Sequence, residues 1–386
     1  MIVDPVRLGV IGLGRGFMLS LPALKRHPWI QLVAGSDPRP AVGETLAAEF
    51  DCAAYQDTQA LLADPAVEAV YIASPHGLHA EQTIAALSAG KHVLVEKPMA
   101  LSLQECRAMT EAAVAADRVL MVGPSHGFDA PVQRAAALVA SGQYGAPKIV
   151  TAFNYTDFMY RFRRPEELDQ SRGGGVVFSQ AAHQIDQVRT VVGAPVRSVR
   201  ATSGQWDPER PSDGAYSAFL SFANGASATL TYSGYGRYDT DELVGWISEL
   251  GFPRDPDEYG LARRRLAAIG GEDEATAKLT RAYGHPAAAP LADAPHHEHF
   301  GFVLVSCERA DLRITPTGVW IYGDDARWIE PIEPPAIPRA GVFDAFIEAV
   351  RSGRPAPQDG AWGAHIMACC EALLRSSAEA REIFLD

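Results

Sequence analysis

The sequence predicts an α/β domain with a parallel sheet, followed by an α+β domain whose sheet is mostly antiparallel. Its first part alternates short apolar runs with helical patterns, as βαβ units do. From residue 148 onward, stretches of alternating polar and apolar residues follow, and Asn224-Gly225 is a strong hairpin signal. The length of 386 residues suits two domains. We expect domains at 1–124 and 125–386, the second with an insertion at 236–299 and C-terminal helices at 341–386.

The composition excludes several classes of partner. Hydrophobic residues make up 47% and charged residues 21%, an ordinary balance for a globular protein. A formal net charge of −13 argues against nucleic acid or an anionic membrane as partner. No apolar run reaches membrane-spanning length, and the five cysteines are scattered and odd in number. We therefore expect a reduced, cytoplasmic protein with no membrane or nucleic-acid partner.

The first strand and turn predict a dinucleotide-binding domain of the Rossmann type. Residues 7–11 form a short apolar strand that leads into 12–17 (GLGRGF), a helical segment and a second strand ending near Asp37. Glycines let the backbone approach a pyrophosphate, the helix N-terminus supplies N–H groups, and the acid accepts hydrogen bonds from the ribose hydroxyls. The third glycine of this fingerprint is expected at the position of Phe17, so Gly16 stands one place early.

The predicted cofactor is NAD. Asp37 would repel the 2′-phosphate of NADP while accepting hydrogen bonds from the ribose of NAD. Arg39, two residues later, could accommodate that phosphate or stack on adenine, so NADP is kept as the alternative.

A lysine also follows the end of a further predicted strand. Residues 91–95 lead into a buried strand, and Glu96-Lys97-Pro98 follow at once. In an open parallel sheet, ligands bind outside the carboxyl ends of the strands, and the proline restricts the backbone before it. Lys97 is therefore expected to face the ligand. A solvated pair of Glu96 and Lys97 is the alternative.

Together these motifs resemble the glucose–fructose oxidoreductase and inositol dehydrogenase (Gfo/Idh/MocA) family. The matching segments follow in order along most of the chain: 12–14 (GLG), Asp37, 73–79 (ASPHGLH), 96–98 (EKP), and 173–175 (GGG) leading to His183 and Asp186. Within the family, three further segments look most like phthalate 4,5-cis-dihydrodiol dehydrogenases: 153–155 (FNY), 161–165 (RFRRP) and 178–183 (FSQAAH).

The resemblance implies an NAD-dependent oxidoreductase with Lys97, His183 and Asp186 as its catalytic residues. The expected cofactor contacts are Gly12, Gly14, Arg15, Gly16, Phe17, Asp37, Arg39, Ser74, Pro75, His76, His79, Glu96 and Lys97. The expected substrate contacts are His126, Tyr155, Arg161, Arg163, Arg164, Arg172 and Ser179. A homo-oligomer, a dimer or tetramer formed through the sheet of the second domain, is expected, and the 236–299 insertion is a lid or an oligomer contact.

The chemistry of these side chains agrees with that assignment. Lys97 can place a charge next to a hydroxyl oxygen and lower the pKa of the alcohol. The intrinsic pKa of histidine suits His183 to a proton shuttle, and Asp186, three residues along the same helix, can orient it. Ser179 stands where the family usually carries an aspartate, so the proton path depends more on His183. A core or capping role is the alternative for His183, and an ordinary capping role for His126.

Four arginines form a basic cluster in an otherwise acidic chain: Arg161, Arg163, Arg164 and Arg172. The planar guanidinium is suited to binding carboxylates through two parallel hydrogen bonds. The cluster therefore predicts a pocket for an anionic small molecule, and a solvated loop is the alternative.

No metal is expected. In the run from His296 to His299, alternation along a strand would put His297 and His299 on one face and His296 and Glu298 on the other. Each face would then offer two ligands, too few for a closed site, so a polar strand entrance is favoured over a metal site. His76 and His79 lie close in sequence, but two histidines alone likewise make a poor site.

The predicted function is oxidation of a carboxylated cis-dihydrodiol to a catechol by hydride transfer to NAD, with aromatisation driving the reaction forward. A polyol or sugar dehydrogenase of the same family is the first alternative. A non-catalytic nicotinamide-binding regulator and a glycosidase that retains NAD are the alternatives of other classes.

Overall fold

The computed structural model describes residues 4–123, 125–269, 274–288 and 292–385. The chain divides into two units by its internal contacts. Unit 1 consists of Met1–Pro124, Thr276–Asp293 and Ala336–Met367, and unit 2 of Ser125–Ala275, Ala294–Pro335 and Ala368–Asp386. The predicted boundary residue Pro124 and parts of the predicted insertion, 270–273 and 289–291, lie outside the described residues. Among the described helices, none has the length and apolar character that a membrane span requires.

Within the described part of unit 1, six strands form a parallel sheet. They are β1 (Val6–Ile11), β2 (Ile30–Ser36), β3 (Ala53–Tyr55), β4 (Ala69–Ile72), β5 (His92–Val95) and β6 (Leu120–Val122). The strand order is β3-β2-β1-β4-β5-β6, and every neighbouring pair is parallel. The chain reverses its direction of winding between β1 and β4, and ligands of such sheets bind at that switch point. The predicted parallel sheet is confirmed.

Five helices connect these strands. They are α1 (Arg15–Arg26), α2 (Pro40–Phe50), α3 (Thr58–Ala63), α4 (His79–Ser88) and α5 (Leu103–Ala116). All four residues of β4 are buried, as expected for a parallel strand with helices on both faces of its sheet.

The second sheet, over the described residues, has nine strands. They are β7 (Pro147–Tyr155), β8 (Val196–Gly204), β9 (Ala215–Phe222), β10 (Ser227–Ser233), β11 (Phe302–Cys307), β12 (Asp311–Thr315), β13 (Gly318–Tyr322), β14 (Arg327–Pro331) and β15 (Ile383–Phe384). Their order is β14-β13-β12-β11-β7-β10-β9-β8-β15. The β7–β10 pair is parallel and the other neighbouring pairs are antiparallel. The predicted, mostly antiparallel sheet is therefore confirmed, and Gly225, with φ of 86°, forms the predicted hairpin between β9 and β10.

Helices α6 (Ala130–Ala140) and α7 (Ala182–Val192) pack on each other and on this sheet. α7 follows a π-helical turn, Val177–Ala181. Two further helices, α8 (Leu261–Ala268) and α9 (Glu274–Leu279), lie in the predicted insertion.

The C-terminal helices differ from the prediction in their placement. They are α10 (Ala340–Ser352) and α11 (Gly360–Glu379), and the division between the units falls within α11. The ring of Phe343 in α10 meets Tyr71 of β4 edge to face, with 6.0 Å between centroids, and Arg351 pairs with Glu68. Residues 336–367 thus belong to unit 1, not to the second domain. Helical spacing reveals the apolar face of α10, but it does not show which sheet covers that face.

The predicted insertion is also divided. Its residues 276–293 belong to unit 1, where Tyr283 packs edge to face on Phe17 of α1 at 4.9 Å between centroids. The loss of sequence alternation marks the insertion, but it carries no information about the surface on which each part packs.

Candidate active site

The turn after β1 is shaped to receive a ligand. Gly12 has φ of 89°, and a Cβ on it would lie 2.7 Å from the backbone of Ser74. A Cβ on Gly14 would meet none of the described atoms within 4 Å, so the space beside it is open. α1 begins at the next residue, and the first N–H groups of a helix lack intrahelical partners. Open space beside such N–H groups fits the pyrophosphate of a dinucleotide.

Gly16 and Phe17 explain the unusual order of glycines. A Cβ on Gly16 would lie 3.3 Å from Oε1 of Glu96, so the early glycine allows Glu96 to approach the turn closely. The side chain of Phe17 is fully buried against Tyr283. Phe17, predicted to contact the cofactor, can therefore do so only through its backbone.

Asp37, at the end of β2, is buried and fully hydrogen-bonded. Its Oδ2 accepts from the backbone N of Leu13 at 3.0 Å, which ties the glycine turn to β2. Oδ1 accepts from the backbone N and Nε of Arg39 at 3.0 and 2.8 Å, and Oδ2 accepts from Nη2 at 2.8 Å. Burial raises the pKa of Asp37, but the hydrogen bonds from Arg39 and Leu13 outweigh it, so the pKa is lowered. Asp37 is therefore a carboxylate at neutral pH.

The turns after β4 and β5 are joined by His79. Its ring is fully buried, with Nδ1 2.9 Å from the carbonyl oxygen of Pro98 and Nε2 3.0 Å from that of Ser74. Burial lowers the pKa of His79, and the charge of Lys97 adds to the effect. The buried ring of His79 thus links the two turns to each other. Because the side chain is buried, it cannot contact a cofactor directly.

Glu96 and Lys97 follow β5, and both are half-buried. Glu96 accepts a 2.6 Å hydrogen bond from the hydroxyl of Tyr71, and that hydroxyl also lies 3.1 Å from Oγ of Ser20. Burial raises the pKa of Glu96, against the opposing charges of Arg339 and Lys97. Lys97 therefore sits at the carboxyl end of a central strand, as predicted, beside a carboxylate that is held in place.

Unit 2 contains the other two residues predicted to be catalytic. His183 and Asp186 lie in the first turns of α7, and Ser125 contacts both. Its Oγ lies 3.4 Å from Nδ1 of His183 and donates to Oδ2 of Asp186 at 2.7 Å. The backbone N of Gly127 donates to the same Oδ2 at 3.1 Å. Asp186 is thus connected to His183 through a serine that the sequence analysis did not select.

His126 lies beside His183. Their ring centroids are 4.8 Å apart, and both rings contact Phe300, at 5.0 and 5.3 Å. Nδ1 of His126 is 2.7 Å from Oδ2 of Asp129. Burial lowers the pKa of His126, but Asp129, with the charges of Glu298 and Glu249, outweighs it, so the pKa is raised.

His126 and two of the acids that act on it have side chains that can bind a metal ion. In the part of the chain that the structure describes, His126, Asp129 and Glu298 offer ligand atoms within 4.8 Å of one another, so these residues could hold a metal ion. The sequence alone does not reveal this set, because Glu298 is far from the other two residues in the chain. His297 and His299 are both buried and face the carbonyl oxygens of Glu333 and Ile247, each at 2.8 Å.

Arg161 is already paired with acids. Its Nε lies 3.0 Å from Oδ1 of Asp157, and its Nη1 lies 3.3 Å from Oε2 of Glu249. Asn154 donates to the other oxygen of Glu249 at 3.1 Å. Although burial lowers the pKa of Arg161, Glu249 and Asp157 raise it overall. Arg161 was predicted to contact the substrate, but its Nε and Nη1 are already engaged by Asp157 and Glu249.

Arg163 has a different environment. Its guanidinium lies 3.5 Å from the centroid of the Phe158 ring and donates to the carbonyl oxygen of Phe158. Its buried Nε has no hydrogen-bond partner among the described residues. Burial lowers the pKa of Arg163 to about 10; Glu167 opposes this shift, and the positive charges of Arg161 and Arg210 add to it. Arg163 is thus a half-buried cation whose buried Nε has no partner among the described residues, and an anion would stabilise it.

Three further residues were predicted to contact the substrate: Arg164, Arg172 and Tyr155. Arg164 pairs with Glu166 and Glu167, and Arg172 is exposed. The backbone N of Tyr155 is held by Thr240 at 2.8 Å.

Aromatic rings connect the surroundings of Arg163 with His183 inside unit 2. Phe158 contacts Tyr232 at 6.3 Å between centroids, and Tyr232 stacks on Phe300 at 5.9 Å. Phe300 in turn contacts His183. One contiguous row of rings therefore supports both Arg163 and His183.

Family models match both parts of the chain. Residues 6–124 match the oxidoreductase family with an NAD-binding Rossmann fold, and residues 132–245 match the GFO/IDH/MocA C-terminal domain. A 1-carboxy-3-chloro-3,4-dihydroxycyclohexa-1,5-diene dehydrogenase from Comamonas testosteroni is 41% identical over 373 residues, which cover 96% of this chain and 94% of that protein.

Solved structures agree. A protein from Bordetella bronchiseptica RB50, described as a dehydrogenase, has a TM-score of 0.93 at 39% identity and covers 99% of this chain and 100% of its own. An oxidoreductase from Agrobacterium radiobacter, solved with NAD+, L-tartaric acid and magnesium, has a TM-score of 0.74 at 18% identity, over 99% of this chain and 98% of its own, and shows the shared fold. The predicted family, oxidoreductase class and NAD-binding Rossmann domain are confirmed: the chain belongs to the GFO/IDH/MocA oxidoreductase family.

Proposed function

We propose that this oxidoreductase converts a carboxylated cis-dihydrodiol and NAD+ into a catechol, NADH and a proton. The observation that supports a carboxylate on the substrate is Arg163, a half-buried guanidinium in the same unit as His183 whose buried Nε has no partner among the described residues. The name of the Comamonas testosteroni relative, which describes a carboxylated dihydroxycyclohexadiene, supports the same substrate class. That substrate has one carboxyl group, so one strong cationic contact is sufficient, and a phthalate-type diacid would need a second.

The proposed chemistry divides the tasks between the chain's own residues. The bound nicotinamide supplies the hydride acceptor. Lys97 stabilises the developing alkoxide by its charge, and His183 takes the proton that the hydroxyl loses. The resulting ring ketone then shifts its remaining ring proton to become a catechol, and the gain in aromaticity favours the forward direction.

Ser125 and Asp186 position the histidine in this scheme. Asp186 is buried and accepts hydrogen bonds from Ser125 and Gly127, so its carboxylate is fixed. The Ser125 hydroxyl lies between that carboxylate and Nδ1 of His183. A ring held in this way keeps one orientation toward the group whose proton it takes.

A neutral polyol or sugar is the second candidate substrate. The carboxylates around His126, those of Asp129, Glu249 and Glu298, favour it, because carboxylates accept hydrogen bonds from hydroxyl groups and repel acids. A Thermotoga maritima myo-inositol 2-dehydrogenase is 33% identical over 201 residues, which cover 51% of this chain.

The test is NADH formation across a panel of substrates. The panel contains a carboxylated cis-dihydrodiol, a phthalate-type dihydrodiol, the cis-dihydrodiol of benzene, and myo-inositol. We expect kcat/KM for the carboxylated compounds to exceed that for the uncharged dihydrodiol by at least tenfold. A higher kcat/KM on myo-inositol would support the second candidate. Glycoside cleavage without net NADH would indicate a glycosidase, and turnover of no compound would indicate a regulator.

We also propose a homo-oligomer formed through the open face of the nine-stranded sheet. Ile149 of β7 and Phe219 of β9 are exposed large side chains, at 53% and 44%. Phe219 pairs with Thr229 of β10, which pairs with Thr151, so Phe219 and Ile149 share one face. A molar mass of one chain by light scattering would overturn this proposal. Asp substitution at both exposed positions should reduce an oligomer to monomers.

A further inference from the structure

Within the segment Thr276–Asp293, the described residues 276–288 and 292–293 pack on α1. Near the start of α1, the ring of Tyr283 lies on Phe17, 4.9 Å between centroids at an interplanar angle of 84°. At its end, Arg26 donates two hydrogen bonds to Asp293, at 2.8 and 2.7 Å. The hydroxyl of Tyr283 donates to Glu49 of α2. Contacts at both ends of α1 therefore fix the positions of Tyr283 and Asp293, which lie outside the residues matched by the NAD-binding family model.

Arg281 precedes Tyr283 by two residues and is exposed, so a ligand can reach its guanidinium. Tyr283 lies over the third residue of α1, so Arg281 belongs to the stretch of chain that packs at the N-terminal end of that helix. The electrostatics agree. Burial, followed by the positive charges of Arg281 and Arg339, lowers the pKa of Arg15, the first residue of α1, to about 10.

Arg339 comes from a third part of the chain. It precedes α10 and has φ of 59°, in the left-handed region that is uncommon for a residue other than glycine. Its charge also acts on Glu96, which approaches the glycine turn at Gly16. Arg15, Arg281 and Arg339 thus gather beside one turn, and we call them the arginine cluster.

The chemistry of the cluster selects its ligand. The positive charges of Arg281 and Arg339 act against that of Arg15, and a group with two negative charges relieves this repulsion at Arg15 most effectively. The N-terminus of α1 and the open space beside Gly14 favour an anion at the same place. The pyrophosphate of a dinucleotide carries two negative charges. A 2′-phosphate is disfavoured as the ligand, because the ribose site lies at Asp37 and Arg39, at the end of β2.

We infer that Arg281, supplied by the inserted segment, binds the cofactor pyrophosphate together with Arg15 and Arg339. This inference rests on the NAD-dependent function proposed above. It gives residues 276–288 the role of a cofactor clamp, in place of a lid or an oligomer contact.

NADH fluorescence titration tests the clamp without measuring turnover. Arg281→Ala should raise the Kd for NADH and for ADP-ribose about tenfold and should flatten the dependence of Kd on salt concentration, because one ion pair is lost. Arg281→Lys keeps the charge and should raise Kd only two- to threefold. Arg265→Ala, which removes an exposed arginine from α8 in the other part of the insertion, is the matched control and should leave Kd unchanged.

Two results would overturn the inference. One is a Kd for Arg281→Ala within twofold of that for Arg265→Ala. The other is a loss of affinity several times larger for NADPH than for NADH, which would place Arg281 at the 2′-phosphate instead. Equal melting temperatures of the ligand-free variants would show that Tyr283 still anchors the segment. If wild type binds NADH but oxidises no dihydrodiol, the proposed substrate fails and the clamp stands. If wild type binds NADH and Arg281→Ala binds NADH equally well, the proposed role of Arg281 is wrong, and the proposed function is unaffected.

Discussion

Arg39 donates three hydrogen bonds to Asp37, two to Oδ1 and one to Oδ2, and Leu13 donates a fourth. A carboxylate has about four acceptor positions, so Asp37 is fully engaged. The ribose hydroxyls of a cofactor can bind Asp37 only if the partly exposed side chain of Arg39 moves away. Arg39 thus competes with NAD for Asp37 and is also the nearest cation available to a 2′-phosphate.

Arg39→Ala should therefore favour NAD. It releases acceptor positions on Asp37 and removes the cation that a 2′-phosphate would need, so the ratio of kcat/KM for NAD to that for NADP should rise by about tenfold. Asp37→Ser, with Arg39 retained, should shift the ratio toward NADP, because it removes the charge that repels the phosphate. Steady-state kinetics with both cofactors measures these ratios. A wild-type preference for NADP that Asp37→Ser leaves unchanged would contradict the role of Asp37.

Lys97→Met should lower kcat by on the order of a hundredfold while leaving the Kd for NADH nearly unchanged, as expected of a charge that acts in the chemical step. Lys148→Met is the matched control, since Lys148 is exposed and forms a surface pair with Glu308. Single-turnover measurements separate hydride transfer from product release. Near-normal turnover of Lys97→Met on the true substrate would show that Lys97 has only a structural role.

His183→Asn should also lower kcat by about a hundredfold, and it should change the pH dependence of kcat, because it removes the group that takes the proton. Ser125→Ala removes the hydroxyl between His183 and Asp186 and leaves the base in place. It should lower kcat by about tenfold, with the pH dependence retained. A pH profile of kcat for the three enzymes is the measurement. If His183→Asn keeps the wild-type profile, another group takes the proton.

The sequence was sufficient to predict features that depend only on the order of residues within a short segment. The positions of Gly12, Gly14, Asp37 and Lys97 follow from strand periodicity and from the rule that ligands bind at the carboxyl ends of parallel strands. Contacts between distant segments could not be predicted in this way. Arg161 looked available for substrate, because its partner Glu249 is 88 positions away.

The same limit applies to the arginine cluster and to the C-terminal helices. Arg15, Arg281 and Arg339 lie in three separate segments, and no spacing rule relates them. The apolar face of α10 was visible in the sequence, but its partner Tyr71 was not. Periodicity shows that a face is buried, and only the folded chain shows what buries it.

Asp241 should make the folded protein less stable as the pH rises. Burial and the charge of Asp239 raise its pKa to about 7, in spite of the 2.8 Å contact with Arg254. A carboxyl with a raised folded pKa binds its proton more tightly in the folded than in the unfolded chain. Stability therefore falls as the pH rises from the ordinary value of 3.8 through about 7.

Asp241→Asn removes this titration. It should flatten the dependence of unfolding free energy on pH between 5 and 8 and add about 1–3 kcal/mol at pH 8. Asp257→Asn, at an exposed position in the same insertion, is the control and should leave the curve unchanged. Urea unfolding at each pH gives the free energies. Parallel curves for wild type and Asp241→Asn would show that Asp241 ionises normally.

The substrate carboxylate should depend on Arg163 and not on Arg172. Arg163 is half-buried, and its buried Nε has no partner among the described residues, whereas Arg172 is exposed. Loss of a desolvated, charge-assisted pair costs roughly 1.5–3 kcal/mol, and an exposed pair contributes about 0–1 kcal/mol. Arg163→Ala should therefore raise KM for the carboxylated dihydrodiol by about 10- to 100-fold, and Arg172→Ala should raise it less than fivefold.

The effect should appear in KM and not in kcat, because the carboxylate is remote from the transferred hydride and is bound alike before and during transfer. It should also vanish for the uncharged cis-dihydrodiol, which has nothing for Arg163 to bind. Each variant is therefore measured on both compounds. Equal losses on the charged and uncharged compounds would mean that Arg163→Ala disturbs its packing on Phe158. Equal wild-type activity on the two compounds would falsify the carboxylate pocket and favour a neutral substrate held by the carboxylates around His126.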